Sequence, residues 1–299
     1  MATKLKKTLQ FLAGSFLCWS LLLGTAAAGH PAATIMQLYA ADHKNQNTIE
    51  PYIVTILALN EVENGRNMSQ VKQYIQWYFS KLNYPDYQGL SGTIYVYTLE
   101  GDQTKSTNKY DSVDGYAGMF LHLLRQYAAK SGDVQLLKEN WQKIEDIAAL
   151  IPGLQDKDGL TWATPQYKVK YLMDNCESYG GIVAYMELRS LVGMPGSLQY
   201  YAKSILLRKG IKENLYQPDK KLFYWAIVED GTPSASAWET FYPDSLAQLF
   251  PIYFGLLNDA PSIQEKLWLD FCRKYAATMK NAPAEQRIIY ELTKKMMKE

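Results

Sequence analysis

The sequence predicts a nearly all-α fold, a toroid of stacked helical hairpins with short β-hairpins in its loops. Three observations carry this reading: apolar residues recur at helical spacing, strand-like runs are few, and the helices return in pairs at a fixed interval. Val71, Tyr74, Ile75, Tyr78 and Leu82 follow the i, i+3, i+4, i+7, i+11 pattern, and Leu246, Leu249, Phe250, Tyr253 and Leu257 repeat it. Similar stripes lie near 48–64, 111–130, 134–150, 182–193, 198–215, 262–280 and 284–298. Only 93–98 (TIYVYT) and 222–228 (LFYWAIV) read as strands, each beside turn residues.

Taken from the N-terminus, the chain opens with Lys4, Lys6 and Lys7, an apolar run from Phe11 to Leu23, and Ala26-Ala27-Ala28 before Gly29. This is the pattern of a secretory signal cleaved after Ala28, which implies a secreted or periplasmic protein. The alternative is an uncleaved membrane anchor over 11–28, since the apolar stretch approaches the length of a span. Residues 29–299 read as a single domain, because no Pro/Gly/Ser-rich linker interrupts them.

The 47% hydrophobic, 13% aromatic composition of the 299-residue chain is ample for one sizeable core. Loss of the leader takes the formal net charge from +1 to −2, and no basic stripe is left, so nucleic acid is not an expected partner. Cys176 and Cys272 then remain, either as one disulfide or as two buried thiols. The three histidines, His30, His43 and His122, are scattered, so no metal site or other cofactor is expected, and His122 falls within an apolar helical run.

Second helices of successive pairs begin near Met68, Val134, Leu198 and Ile263, at intervals of 66, 64 and 65. First helices open on Glu50, Asp111, Asp174 and Glu239, at intervals of 61, 63 and 65. A hairpin cannot bury its apolar face alone, so each unit must stack on the next. The repeat is far longer than the roughly 34 residues of a tetratricopeptide solenoid, which favours a closed ring with long loops. Four pairs and a ninth helix make about four and a half hairpins. Gly115, Ala117 and Gly118, then Gly180, Gly181 and Ala184, let the first helices crowd as an inner layer.

Parallel inner helices would gather their N-terminal acids on one rim: Glu50, Asp111, Asp114, Asp174, Glu177, Glu239 and Asp244. The D-S-V-D and D-N-C-E openings also fit helix caps, with an acid at the N-cap and another at N3. Asp174 fits a cap best, and Glu177 is the one of that pair expected to face a cleft. The run 156–159 (DKDG) reads as a turn rather than a calcium loop, as the further ligands are missing.

The runs 110–133 (YDSVDGYAGMFLHLLRQYAAKSGD) and 156–181 (DKDGLTWATPQYKVKYLMDNCESYGG) resemble the six-hairpin (α/α)-toroid glycosidase-like proteins, over roughly 48 to 280. The nearest functional analogy is to family-eight endoglucanases. That resemblance implies a glycoside hydrolase acting on a polysaccharide or oligosaccharide through paired carboxylates, with Glu50 matching the general acid and Asp111 or Asp114 the second carboxylate. Asp111, Asp114, Glu50 and Glu177 are thus the candidate catalytic groups. Asp174, Trp162, Tyr167, Tyr179, Trp225, Trp238, Glu239 and Asp244 are the candidate substrate-binding ones, the aromatic rings being suited to stack on sugars. The rival expectation is a catalytically degenerate toroid that holds glycan without cleaving it and serves exopolysaccharide production or export; a monomer is expected in either case.

Overall fold

The computed structural model describes residues 48–100 and 103–298. The signal segment, the alternative anchor, His30 and His43 lie outside the described residues.

The helices form where the apolar stripes predict them. Helix α1 (Pro51–Glu63) starts on a proline, whose fixed φ and missing N–H suit the first helical position. It is followed by α2 (Met68–Ser80), then α3 (Asp114–Ser131), α4 (Val134–Glu139) and α5 (Trp141–Leu154). The S-G-D turn separates α3 from α4. Gly132 adopts φ 71° and its N–H closes onto the Ala128 carbonyl, while the Asp133 carboxylate accepts from the Leu136 N–H and caps α4. Helices α6 (Leu172–Leu191), α7 (Leu198–Gly210), α8 (Phe250–Tyr253), α9 (Pro261–Tyr275) and α10 (Ala284–Met296) complete the set.

Two layers result. Helices α1, α3, α6, α8 and α10 are inner, and each packs on the next in that order. The last of them, α10, also packs back on α1, so the inner layer closes into a ring of five. Helices α2, α5 and α7 lie outside their inner partners, and α9 covers α10 through Trp268 and Phe271 stacked against Tyr290. Four hairpins plus α10 therefore close a toroid with fewer hairpins than six. Among the described residues no helix is long and apolar enough to cross a membrane.

The tightest seam is between α3 and α6, and it decides where the site sits. A Cβ on Gly118 would lie 2.4 Å from the Glu177 carbonyl oxygen, and one on Gly181 would lie 2.5 Å from Gly118 Cα. Glycine at both positions lets the two backbones touch. That contact explains why α6 starts at Leu172, ten residues before the apolar stripe at 182. Its first three turns interrupt the apolar periodicity with Asp174, Asn175, Glu177, Ser178, Gly180 and Gly181, and Glu177, Ser178 and Gly181 lie against α3.

The β structure is shorter than the sequence suggests. Strands β1 (Thr48–Ile49), β2 (Tyr97–Glu100) and β3 (Gln103–Ser106) form one antiparallel sheet in that order. The predicted run 93–98 contributes only its last two residues to β2, since Thr93 makes an isolated bridge to Asn83. The run 222–228 splits in two. Strand β5 (Tyr216–Gln217) pairs with β6 (Leu222–Phe223), whereas β7 (Ala226–Ile227) joins β4 (Lys170–Tyr171) and β8 (Pro233–Ser234) in the order β4-β7-β8. Cys176, on α6, and Cys272, on α9, are free thiols.

Candidate functional site

The N-terminal ends of the inner helices do share one rim, and an acidic centre forms where α3 meets α6. Ser112 organises the start of α3: its hydroxyl accepts from the Gly115 N–H at 3.1 Å and donates to Asp114 Oδ1 at 3.0 Å. The N-cap residue is Val113, which makes no side-chain cap bond, and the hydroxyl that meets the first turn is that of Ser112 before it, not the Asp111 carboxylate that the D-S-V-D spacing suggested. In α6 the capping reading fails for a different reason. The helix begins at Leu172, so Asp174 lies inside the first turn and Glu177 in the second, and the N-cap residue Tyr171 makes no side-chain cap bond.

Three carboxyl groups meet around Gly115. Asp114 is fully buried and well supplied with donors: Ser112, the Gly115 N–H at 2.9 Å and the Thr161 hydroxyl at 2.6 Å. Thr161 is itself held by Asn175 of α6, whose side-chain oxygen accepts from the Thr161 N–H at 2.7 Å. Burial pushes the Asp114 pKa up to about 6, against the lowering effect of its donors.

Glu177 is fully buried too, but with fewer partners. Its Oε1 accepts from the Tyr52 hydroxyl at 2.5 Å, across from α1. No described residue donates to Glu177 Oε2 or to Asp174 Oδ2, and both atoms are buried. A Cβ on Gly115 would lie 2.7 Å from Glu177 Oε2 and 3.2 Å from Asp174 Cγ, so only glycine leaves room for both carboxyls. Burial holds both groups well above the ordinary carboxylate range. For Asp174 the charges of Asp114, Glu177 and Asp111 add to it, and for Glu177 that of Asp114 does. Like charges crowded in a poorly solvated site favour the protonated form, so the centre is built to carry a proton near neutral pH.

Beside these carboxyls the rim holds a cavity of about 130 Å³, lined among others by Glu50, Tyr52, Asp111, Tyr116, Tyr242 and Glu285. Asp114, Asp174 and Glu177 are not among its lining residues, so Glu177 does not face the cleft as the sequence suggested but reaches it only through Tyr52. Tyr52 stacks on Tyr116 with ring centroids 5.7 Å apart. Asp111 is exposed and Glu50 half-buried. Burial, then the nearby Asp174, Asp111 and Glu177 carboxyls, push the Tyr242 pKa up to about 12. An aromatic ladder borders the same centre. The Tyr167 hydroxyl lies 2.9 Å from that of Tyr171, and the Tyr171 ring stacks on Trp225 at 6.3 Å.

Glu50, Asp111, Asp114, Asp174 and Glu177 are thus brought together, with Tyr167 and Trp225 nearby. The fourth predicted opening is not. Glu239 is exposed and faces Lys274 of α9 at 3.8 Å. Asp244 is buried in its own loop, accepting from the Ser236 hydroxyl and from the Ala237 N–H at 3.2 Å. The physical cause is local: Trp238 takes a left-handed φ of 58°, its carbonyl accepts from Tyr275, and 241–245 forms an irregular turn instead of a regular helix start. Tyr179 packs against the core, and Trp162 lines a different cavity. The D-K-D-G run holds a cation of its own, the Lys170 ammonium, 2.6 Å from both Asp156 and Asp158.

Sequence reasoning missed Tyr52, Tyr171, Thr161 and Glu285. Glu285 had a readable signal, an acid just after Pro283 and just before the stripe Ile288, Ile289 and Leu292, which repeats the opening of the earlier inner helices. Tyr52 had none, because its partner lies 125 residues away.

No protein-family model and no curated protein sequence matches the chain. Solved structures do resemble it. A GH78 family rhamnosidase from a Bacillus species superposes with a TM-score of 0.57 at 14% identity, over 83% of this chain and 25% of the other. A rhamnosidase from Klebsiella oxytoca gives 0.56 at 11%, over 90% and 51%. A GH63 mannosylglycerate hydrolase from Thermus thermophilus gives 0.58 at 10%, over 83% and 77%. The chain spans a quarter to a half of the length of the two rhamnosidases it matches. These structures are rhamnosidases and a mannosylglycerate hydrolase rather than family-eight endoglucanases. Their likeness, with the closed inner ring, gives this chain a helical-toroid fold similar to those of these glycosidase structures.

Proposed function

We propose that this chain is an exported glycoside hydrolase that cleaves a polysaccharide or oligosaccharide with carboxyl groups of the α3/α6 rim. The observation that carries the reading is the pair Asp174 and Glu177. Each keeps a buried oxygen to which no described residue donates, and each is held toward the protonated form. A purely structural carboxyl would be satisfied, as Asp114 is. Glycoside hydrolysis needs one protonated carboxyl to assist the leaving oxygen and one ionised carboxylate to activate water or attack the sugar. Asp174, the less buried of the pair, is assigned as the acid, and the exposed Asp111 at the cavity wall as the second catalytic carboxyl. Tyr52 positions Glu177, and Asp174 and Glu177 crowded together disfavour ionisation of both, which keeps the proton on Asp174. Tyr171 and Trp225 offer ring faces on which a sugar can stack beside the acids. The glycosidase fold of the neighbours supports the carbohydrate class, and the lysine-led apolar leader supports export.

One observation favours the second reading, a glycan-binding toroid without turnover: Glu177 and Asp114 have no exposed surface at all. Reducing-end release from neutral and acidic polysaccharides, with Asp174→Asn alongside, separates the two. Release that disappears in the variant supports the hydrolase. Binding of a glycan with no release from any substrate supports the binding toroid.

A further inference from the structure

The small β4-β7-β8 sheet carries the acid-side ladder on one side, and a second cavity lies behind it. Residues alternate sides along a strand, so Tyr171 turns to the ladder while its neighbour Lys170 turns the other way, and Trp225 and Tyr224 divide in the same sense. Lys170 and Tyr224, together with Trp162, Asp156, Asp158 and Asn214, line a cavity of about 420 Å³. That lies within the range of about 300–1,000 Å³ usual for small-ligand pockets. It is larger than the 130 Å³ cavity beside the acids. It shares no lining residue with that cavity.

We propose that this second cavity is a separate binding site for a neutral saccharide. The proposal rests on the carbohydrate reading above, but not on catalysis. Its polar groups are fixed in advance: Lys170 is buried, and its ammonium holds one oxygen of Asp156 and one of Asp158. The Asn214 amide is anchored on the Asp158 carbonyl at 3.2 Å. Carboxylates locked this way accept hydroxyl protons without swinging to other partners. Trp162 supplies an indole wall, with the Lys168 ammonium 4.8 Å from its ring centre. The charge decides the ligand class. Asp156, Asp158 and the lining Glu229 outnumber Lys168 and Lys170 by one, so an anionic sugar is disfavoured. A hydroxyl-rich neutral ring meets carboxylate and amide acceptors on one side and an indole on the other.

The test is titration calorimetry of the full chain with maltose, cellobiose and L-rhamnose, and with D-glucuronate as the anionic control. Binding of at least one neutral sugar is expected, with glucuronate at least tenfold weaker. Two variants locate it. Trp162→Ala should weaken that binding at least tenfold, and Val228→Trp, at the half-buried cavity wall, should block it. Asp174→Asn should leave it within twofold. No neutral sugar binding, or binding that survives Val228→Trp, overturns the proposal. Preference for glucuronate also overturns it. Loss of hydrolysis bears on the acid centre alone, so the two readings fail separately.

Discussion

The two ends of the inner ring treat charge in opposite ways. At the C-terminal ends of the inner helices, a cavity of about 330 Å³ includes His122, Arg125, Glu187 and Tyr253 in its wall. Arg125 bonds Glu187, and His122 Nε2 lies 3.0 Å from the Tyr253 hydroxyl. Burial first, then the nearby Arg125, push the His122 pKa down to about 4, so the ring is neutral at pH 7. At the N-terminal ends, carboxyls crowd against one another and two of their oxygens have no described donor. A fold selected for stability alone would resemble the far end throughout. Mutually raised carboxyls on one rim are the kind of feature that clusters at functional sites, and this contrast supports the proposed one.

The largest expected effect follows from that asymmetry. Asp174→Asn should lower turnover by about 10²–10⁴-fold, the usual contribution of a positioned proton donor, with glycan binding retained. His122→Phe should leave turnover unchanged. Equal losses in both variants, measured by reducing-end release, would erase the distinction between the ends.

The seam that brings the carboxyls together is the next target. Gly181→Ala places a methyl 2.5 Å from Gly118 Cα. Overpacking of this kind costs about 1–3 kcal/mol, readable as a lower urea midpoint with an unchanged slope. No change in midpoint would mean that the α3/α6 contact is looser than described.

The pH dependence of stability separates the ends by sign. A carboxyl whose folded pKa is raised binds more protons folded than unfolded, so its contribution falls as pH rises from the ordinary carboxylate range through the folded value. Glu177→Gln should therefore gain melting temperature over the native chain at pH 8 and gain less at pH 5. His122 runs the other way. Its folded pKa is depressed from 6.5 to about 4, so stability is lost as pH falls through that window. His122→Phe should flatten the acid limb only. Thermal melts from pH 4 to 8 would show both, at roughly 2–4 °C per kcal/mol for a chain of this size.

The smallest effect is expected at the displaced fourth opening. Glu239→Gln removes an exposed ion pair worth less than about 1 kcal/mol and should change neither melting temperature nor turnover.

The fold was legible because the ring's construction is periodic. Second helices at Met68 and Leu198 begin where the spacing places them, and α9 begins at Pro261, two residues before Ile263; Val134 opens only the short α4, and the outer helix of that pair, α5, begins at Trp141. The candidate site was legible where acids lie within a few residues of a regular inner-helix start, as at Asp111, Asp174 and Glu177. It failed at Glu239 and Asp244, where a left-handed Trp238 and an irregular turn break the repeat, and nothing in the local pattern announces that. It also failed to rank Asp114 against Glu177. Both are acids near a helix start, and the difference is whether a distant hydroxyl, Thr161 in one case and Tyr52 in the other, satisfies one oxygen or leaves its neighbour bare.

The central claim is that this rim stores a proton at neutral pH. Carbon-13 NMR of side-chain carboxyls in the labelled chain, titrated from pH 4 to 9, tests it directly. The account predicts at least one carboxyl still protonated at pH 7, with its resonance lost or shifted in Asp174→Asn and Glu177→Gln and unchanged in Glu239→Gln. Complete ionisation of every carboxyl by pH 6 would contradict it.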